Sequence, residues 1–207
     1  IATEKYIARD AREAVKVEYE VMKPVVDPFK ALDSDAPILR PDKEDKKDNH
    51  IWHWEVGQKE ETERIFQDAE VTVKEQMHIP RIHVASIETC GCVASYDKVE
   101  NHLTMYMTTQ APHAIRTVIA LVAGHVGLTE EKVRVISPDI GGGFGGKVPV
   151  YPGYVIAIAA SFLIGKPVKW IEDRSENLQA DSFARDYHIT AELAGTKDGK
   201  ILATRMK

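Results

Sequence analysis

Apolar residues recur at helical spacing between Lys5 and Val15, where Ile7, Ala11, Ala14 and Val15 share one face, so this stretch is read as an amphipathic helix. The period then changes to two. From Lys16 to Val26, Val17, Tyr19 and Val21 alternate with Lys16, Glu18 and Glu20, which predicts a half-buried strand ended near Pro24. Apolar residues then thin out. Asp33 to Asn49 is charged and punctuated by Pro37 and Pro41, the composition of a linker, and a domain boundary is placed there.

Beyond the linker the two periods alternate. Lys59 to Ala69 predicts a helix and Glu70 to His78 a strand built on Val71 and Val73. Cys92–Tyr96 and His102–Thr109 read as paired strands. A helix from Pro112 to Gly124 follows, with Pro112 in its first turn and Ile115, Val118, Ile119 and Val122 as its apolar positions. Val133–Ile136 is a strand leading into a glycine-rich loop. A buried helix near Val155–Leu163, a strand at Val168–Ile171, and a hairpin over Tyr187–Leu193 and Ile201–Met206 with Asp198-Gly199 at its turn complete the pattern. The fold class is therefore mixed α/β.

Composition narrows the picture. At 207 residues, 43% hydrophobic and 29% charged, the chain reads as an ordinary globular protein. No run of about 18 apolar residues occurs, so no membrane span is expected. Residues 1–75 carry 13 Lys or Arg against 19 Asp or Glu, and the remainder 14 against 13, which directs any anionic ligand to the second part. No basic block interleaved with aromatics is present, which argues against nucleic-acid binding. Two cysteines, Cys90 and Cys92, cannot form a disulfide framework and are read as buried thiols in a strand. The cytoplasm is the expected compartment. His113 and His188 are read as structural hydrogen-bonders, and Trp52, Trp54 and Trp170 as core or interface residues. Both ends look cut, so the chain is expected to be an internal piece of a longer protein.

The chemistry concentrates in Gly141-Gly142-Gly143-Phe144-Gly145-Gly146-Lys147. Five glycines in six positions bare the backbone N–H groups to an anionic oxygen. A magnesium-nucleotide loop would need Ser or Thr after Lys147, where Val148 stands. Gly141, Gly143 and Gly146 also satisfy the dinucleotide spacing, with Glu172 and Asp173 at the end of the next strand. However, Pro149 and Pro152 push the helix start beyond the loop, whereas a dinucleotide helix must begin within it. A nucleotide-binding module stays open as the alternative of another class.

The loop, together with Thr109-Gln110-Ala111-Pro112-His113 and Glu88-Thr89-Cys90, resembles the matching segments of the molybdenum hydroxylase family, in family order and across nearly the whole chain. The resemblance implies that residues 1–35 end an α/β hammerhead domain, 36–50 are a linker, and 51–207 begin a molybdopterin-binding domain. It implies that Gln110 hydrogen-bonds an oxygen on molybdenum, as catalytic and cofactor-binding residue, and that Gly142, Gly143, Phe144 and Gly145 lie against the cofactor.

Purine-oxidising members carry a Glu where Val148 stands. Glu88 to Ser95, Ser182 to His188, Trp170 to Arg174 and Asn177-Leu178 are similar to the carbon monoxide dehydrogenase branch, with Gly146 departing from its usual Asn. That branch implies oxidation of CO with water to CO2, molybdopterin cytosine dinucleotide, and a copper whose ligand lies outside this chain. It further implies an FAD-binding medium subunit and a 2Fe-2S small subunit in a dimer of heterotrimers, cytoplasmic or at the inner face of the membrane. An aldehyde or heterocycle hydroxylase is the runner-up.

Overall fold

The structure, a computed structural model, describes residues 1–207. It divides into two compact units, Ile1–Asp68 and Ala69–Lys207. The first contains α1 (Lys5–Glu13) and α2 (Lys59–Asp68), with a single 3-10 turn at Lys30–Leu32 between them. None of its residues is buried. Between the helices, Asn49 gathers the chain: its amide donates to the carbonyls of Ala31 and Pro37 at 2.9 Å each, and its Oδ1 accepts from the N–H of Leu39.

The strand expected over Lys16–Val26 does not form. Its alternation is real, yet Val17, Tyr19 and Val21 are 55, 81 and 93% exposed, and no other segment pairs with it. A strand is stable only when its N–H and C=O groups find a partner, which side-chain pattern alone does not supply. Trp52 and Trp54 likewise lie outside any core, at 68 and 66% exposure.

The second unit begins with β1 (Val71–Ile79) and β2 (Ile82–His83). A hairpin follows, β3 (Gly91–Asp97) and β4 (His102–Met107), paired antiparallel from Cys92↔Met107 to Asp97↔His102. Asp97 closes its turn by accepting the N–H groups of Val99 and Glu100. Next, α3 (Pro112–Ala123) crosses over to β5 (Val133–Ile136), which lies parallel to β4. Ile115 and Ile119, four apart, are its buried face.

After the glycine loop comes α4 (Pro152–Ile164), with Pro at its first turn and a left-handed Gly165 (φ 63°) ending it. Then β6 (Val168–Ile171) pairs with β3, giving the sheet order β5-β4-β3-β6. α4 packs on β3 and β6, and α3 on β5. Leu103, Met105 and Ala94 are fully buried at the centre of this layer. Large-to-small replacement at Leu103 would cost about 2–5 kcal/mol. Trp170 is partly buried there, edge-on to Tyr154 at 5.3 Å.

A short helix, α5 (Arg174–Ala180), follows, capped by Asp173, and then β7 (Phe183–Ala184) pairs with β2. Finally β8 (Tyr187–Gly195) lies between β1 and β9 (Ile201–Met206) in a second antiparallel sheet. His188 sits directly across from His78 in this sheet, their rings stacked at 4.2 Å.

Candidate functional site

Two segments hold the glycine loop, which runs from the end of β5 to the start of α4. From one side comes Gln110, just past β4. Its backbone N–H donates to the Lys147 carbonyl at 3.0 Å, as does the Thr109 hydroxyl at 3.1 Å. Its side-chain Oε1 accepts from the N–H of Gly145 at 3.0 Å and of Lys147 at 3.2 Å. Two donors on one amide oxygen fix which way the amide points. The Nε2 group has no partner in the chain and remains a free double donor.

Gln110 also explains one glycine. A Cβ at Gly143 would lie 2.3 Å from Gln110 Cδ, so only glycine lets this amide rest on the loop. Gly142 and Gly145 have φ of 93° and 91°, and Phe144 between them φ of 51°. Over Gly142–Phe144, left-handed residues flank Gly143, a pattern that turns successive N–H groups outward, as in anion-binding nests. The N–H groups of Gly142, Gly143 and Phe144 donate to nothing in the chain, whereas those of Gly141, Gly145, Gly146 and Lys147 are taken. Of the positions singled out in the sequence, Gly145 therefore serves Gln110 rather than presenting a free N–H.

From the other side comes Glu88. Its backbone N–H donates to the Gly141 carbonyl at 3.3 Å. Its Oε2 accepts from the Gly141 N–H at 2.7 Å and from Lys147 Nζ at 2.6 Å. The Lys147 side chain is only 2% exposed. Burial works to raise the Glu88 pKa, but the Lys147 hydrogen bond and charge and the Gly141 N–H outweigh it and hold the carboxyl below its usual range. Lys147 is thus neutralised inside the scaffold. What the loop offers a ligand is a set of neutral donors, three N–H groups and one amide.

Behind the loop lies a cavity of about 10 Å³, room for roughly one water, lined in part by Glu88, Cys90, Lys147 and Asp181. Both cysteines are buried, and burial pushes the Cys90 thiol up to about 12 and the Cys92 thiol up to about 11. They are inert thiols at neutral pH. The imidazole of His113 is exposed and hydrogen-bonds to nothing in the chain, unlike the expectation for it.

The dinucleotide alternative requires a helix N-terminus aimed from within the loop. In the structure α4 starts at Pro152, beyond the last glycine. Tyr151, the residue before it, instead hydrogen-bonds the Gly146 carbonyl at 2.5 Å. Neutral donors without a helix dipole or a free lysine suit the bound oxygens of a large cofactor better than a bare pyrophosphate. Sequence reasoning found the loop and Gln110. It missed the Glu88–Lys147 pairing: both residues stand in quoted motifs, but nothing in the sequence ties positions 59 residues apart to each other.

Residues 42–207 match the family described as the molybdopterin cofactor-binding domain. The chain is 53% identical over its whole length to the carbon monoxide dehydrogenase large chain of Hydrogenophaga pseudoflava. Over 99% of its length it is 54% identical to the protein of that name from Afipia carboxidovorans. It spans 26% of each of these relatives. A crystal structure of Cu,Mo-CO dehydrogenase in the carbon monoxide reduced state superposes with a TM-score of 0.88 at 53% identity, covering 99% of this chain and 26% of that one.

Proposed function

This chain belongs to the molybdopterin cofactor-binding domain family, and from that premise we propose that it forms one wall of the molybdenum site in an aerobic carbon monoxide dehydrogenase. The reaction is CO + H2O → CO2 + 2 H+ + 2 e−. When bound, the molybdenum cofactor supplies the two-electron oxidation. The cofactor is molybdopterin cytosine dinucleotide, with a copper held by residues outside this chain. The electrons leave through a 2Fe-2S small subunit to an FAD-binding medium subunit, in a cytoplasmic dimer of heterotrimers. Residues 1–35 close a hammerhead domain, 36–50 link, and 51–207 open the cofactor-binding domain.

The observation that carries this reading is the held amide of Gln110. Its oxygen is occupied by the loop and its NH2 is free, so Gln110 is fixed in advance as a donor toward an oxygen on the metal. Gly142, Gly143 and Phe144 offer their free N–H groups to the same cofactor, and Gly145 keeps Gln110 in place. Such donors cost no reorganisation when charge develops. The Val148 side chain cannot accept a hydrogen bond from a purine ring, which argues against purine hydroxylation.

The test uses the full-length reconstituted enzyme. Gln110→Glu keeps an acceptor for Gly145 and Lys147 but replaces the donor with an acceptor. It should cut CO turnover on the order of 10- to 1,000-fold while molybdenum content stays near wild type. Gly143→Val should lose molybdenum and activity together. Full CO turnover in Gln110→Glu, with molybdenum retained in Gly143→Val, would refute the wall. Hydroxylation of an aldehyde or heterocycle without CO oxidation by the wild-type enzyme would move the substrate to the runner-up.

A further inference from the structure

The two ends of the glycine loop meet at one carboxylate oxygen. Glu88 Oε2 takes the N–H of Gly141, the loop's first residue, and the ammonium of Lys147, its last. The Glu88 N–H donates back to Gly141, closing a reciprocal pair. A Cβ at Gly141 would lie 2.5 Å from Glu88 Cβ, so the approach depends on glycine. Glu88 itself is held: Arg174 hydrogen-bonds the carbonyls of the two preceding residues, Ser86 and Ile87, at 2.5 and 2.9 Å. An ammonium buried as deeply as that of Lys147 must have a counter-charge.

We infer that Glu88 is a positioning residue, a clasp that fixes the entry and exit of the Gly141–Lys147 loop and thereby holds its free N–H groups in place for the cofactor. The clasp stands on the geometry alone, while what the loop holds rests on the function proposed above. Neutral or shorter side chains cannot replace it. Gln at 88 could accept from Gly141 but would leave Lys147 charged and unpaired, and Asp would fall a methylene short.

The test is made in the full-length holoenzyme, with hydrogen exchange of the loop peptide and molybdenum content read beside activity. Glu88→Ala should speed exchange of the Gly141 amide by about 10-fold or more, and molybdenum retained after dialysis should fall at least by half. Glu88→Gln should show an intermediate defect. The double variant Glu88→Gln with Lys147→Met removes both charges, keeps an acceptor for Gly141, and should return exchange and molybdenum toward wild type. Unchanged exchange in Glu88→Ala overturns the clasp. So does a double variant as defective as Glu88→Gln alone, which decides the matter if Glu88→Ala fails to fold. Fast exchange with full molybdenum retention leaves the clasp standing and overturns the cofactor reading of the loop.

Discussion

Glu172 ends β6 with Oε2 accepting the Cys90 N–H at 3.1 Å, and it is 3% exposed. Burial, and then its hydrogen bond with Asp181, push its carboxyl up to about 7 from an ordinary 4.5. Folding therefore favours the protonated form. Between these two values the folded chain holds a proton that the unfolded chain has released, so this contribution is full below about 4.5 and is lost as pH rises through about 7. Gln at 172 mimics the protonated acid, with an oxygen for Cys90 and an N–H for Asp181. The wild-type Tm should fall between pH 5 and 8, and the Glu172→Gln variant should fall less and be the more stable of the two at pH 8. Thermal unfolding at several pH values checks this; parallel curves would sink it. Of such residues, membership in a motif was legible in advance, but pairing was not. Gln110 stood in a recognisable Thr-Gln segment and Glu88, Lys147 and Glu172 in segments of their own, yet the contacts of Glu88, Lys147, Glu172 and Asp181 arise only when distant parts of the chain come together.

Among the elements, those that satisfy their hydrogen bonds locally were readable, and so were β1 and β6, whose apolar residues find partners in the distant strands β8 and β3. α3 and α4 carry their starts at Pro112 and Pro152, and the β3–β4 and β8–β9 hairpins pair with neighbours a few residues away. The stretch 16–26 fails for the opposite reason: its pattern asks for a partner that these 207 residues do not supply. One element was overlooked although its signal was present. Asp173 and Glu176 form a capping box at the start of α5, the Asp173 side chain accepting the Glu176 N–H at 2.8 Å and the Glu176 side chain accepting the Asp173 N–H at 2.8 Å. An acidic residue followed three later by Glu is readable from sequence alone. Asp173→Ala should cost about 1 kcal/mol in denaturant unfolding, with the slope against denaturant unchanged. A loss under a few tenths would mean that α5 is held by Arg174 and Asn177 rather than by its cap.

For the molecule as a whole, the two units differ in what holds them. Ala69–Lys207 has a core of interlocked strands and helices, while Ile1–Asp68 has no buried residue and relies on isolated links such as those of Asn49. Local opening is easiest where little apolar surface is buried and backbone bonds are exposed. Residues 36–49 meet both conditions: they form neither helix nor strand, and between Arg40 and Asp48 every residue except Pro41 is charged. Brief exposure to a lysine- or arginine-specific protease should therefore cut first at Lys43, Lys46 or Lys47. Arg116 provides the internal comparison. It lies in α3, whose Ile115 and Ile119 are buried in the core, and its guanidinium is bonded to Glu130 at 2.8 and 3.0 Å, so cleavage there requires the second unit to open. Mass spectrometry of the early fragments distinguishes the two. Early cleavage at Arg116 would mean that the β5-β4-β3-β6 layer does not hold α3, and the scaffold that presents Gln110, three residues beyond the strand end at Met107 and two before α3, would have to be redrawn.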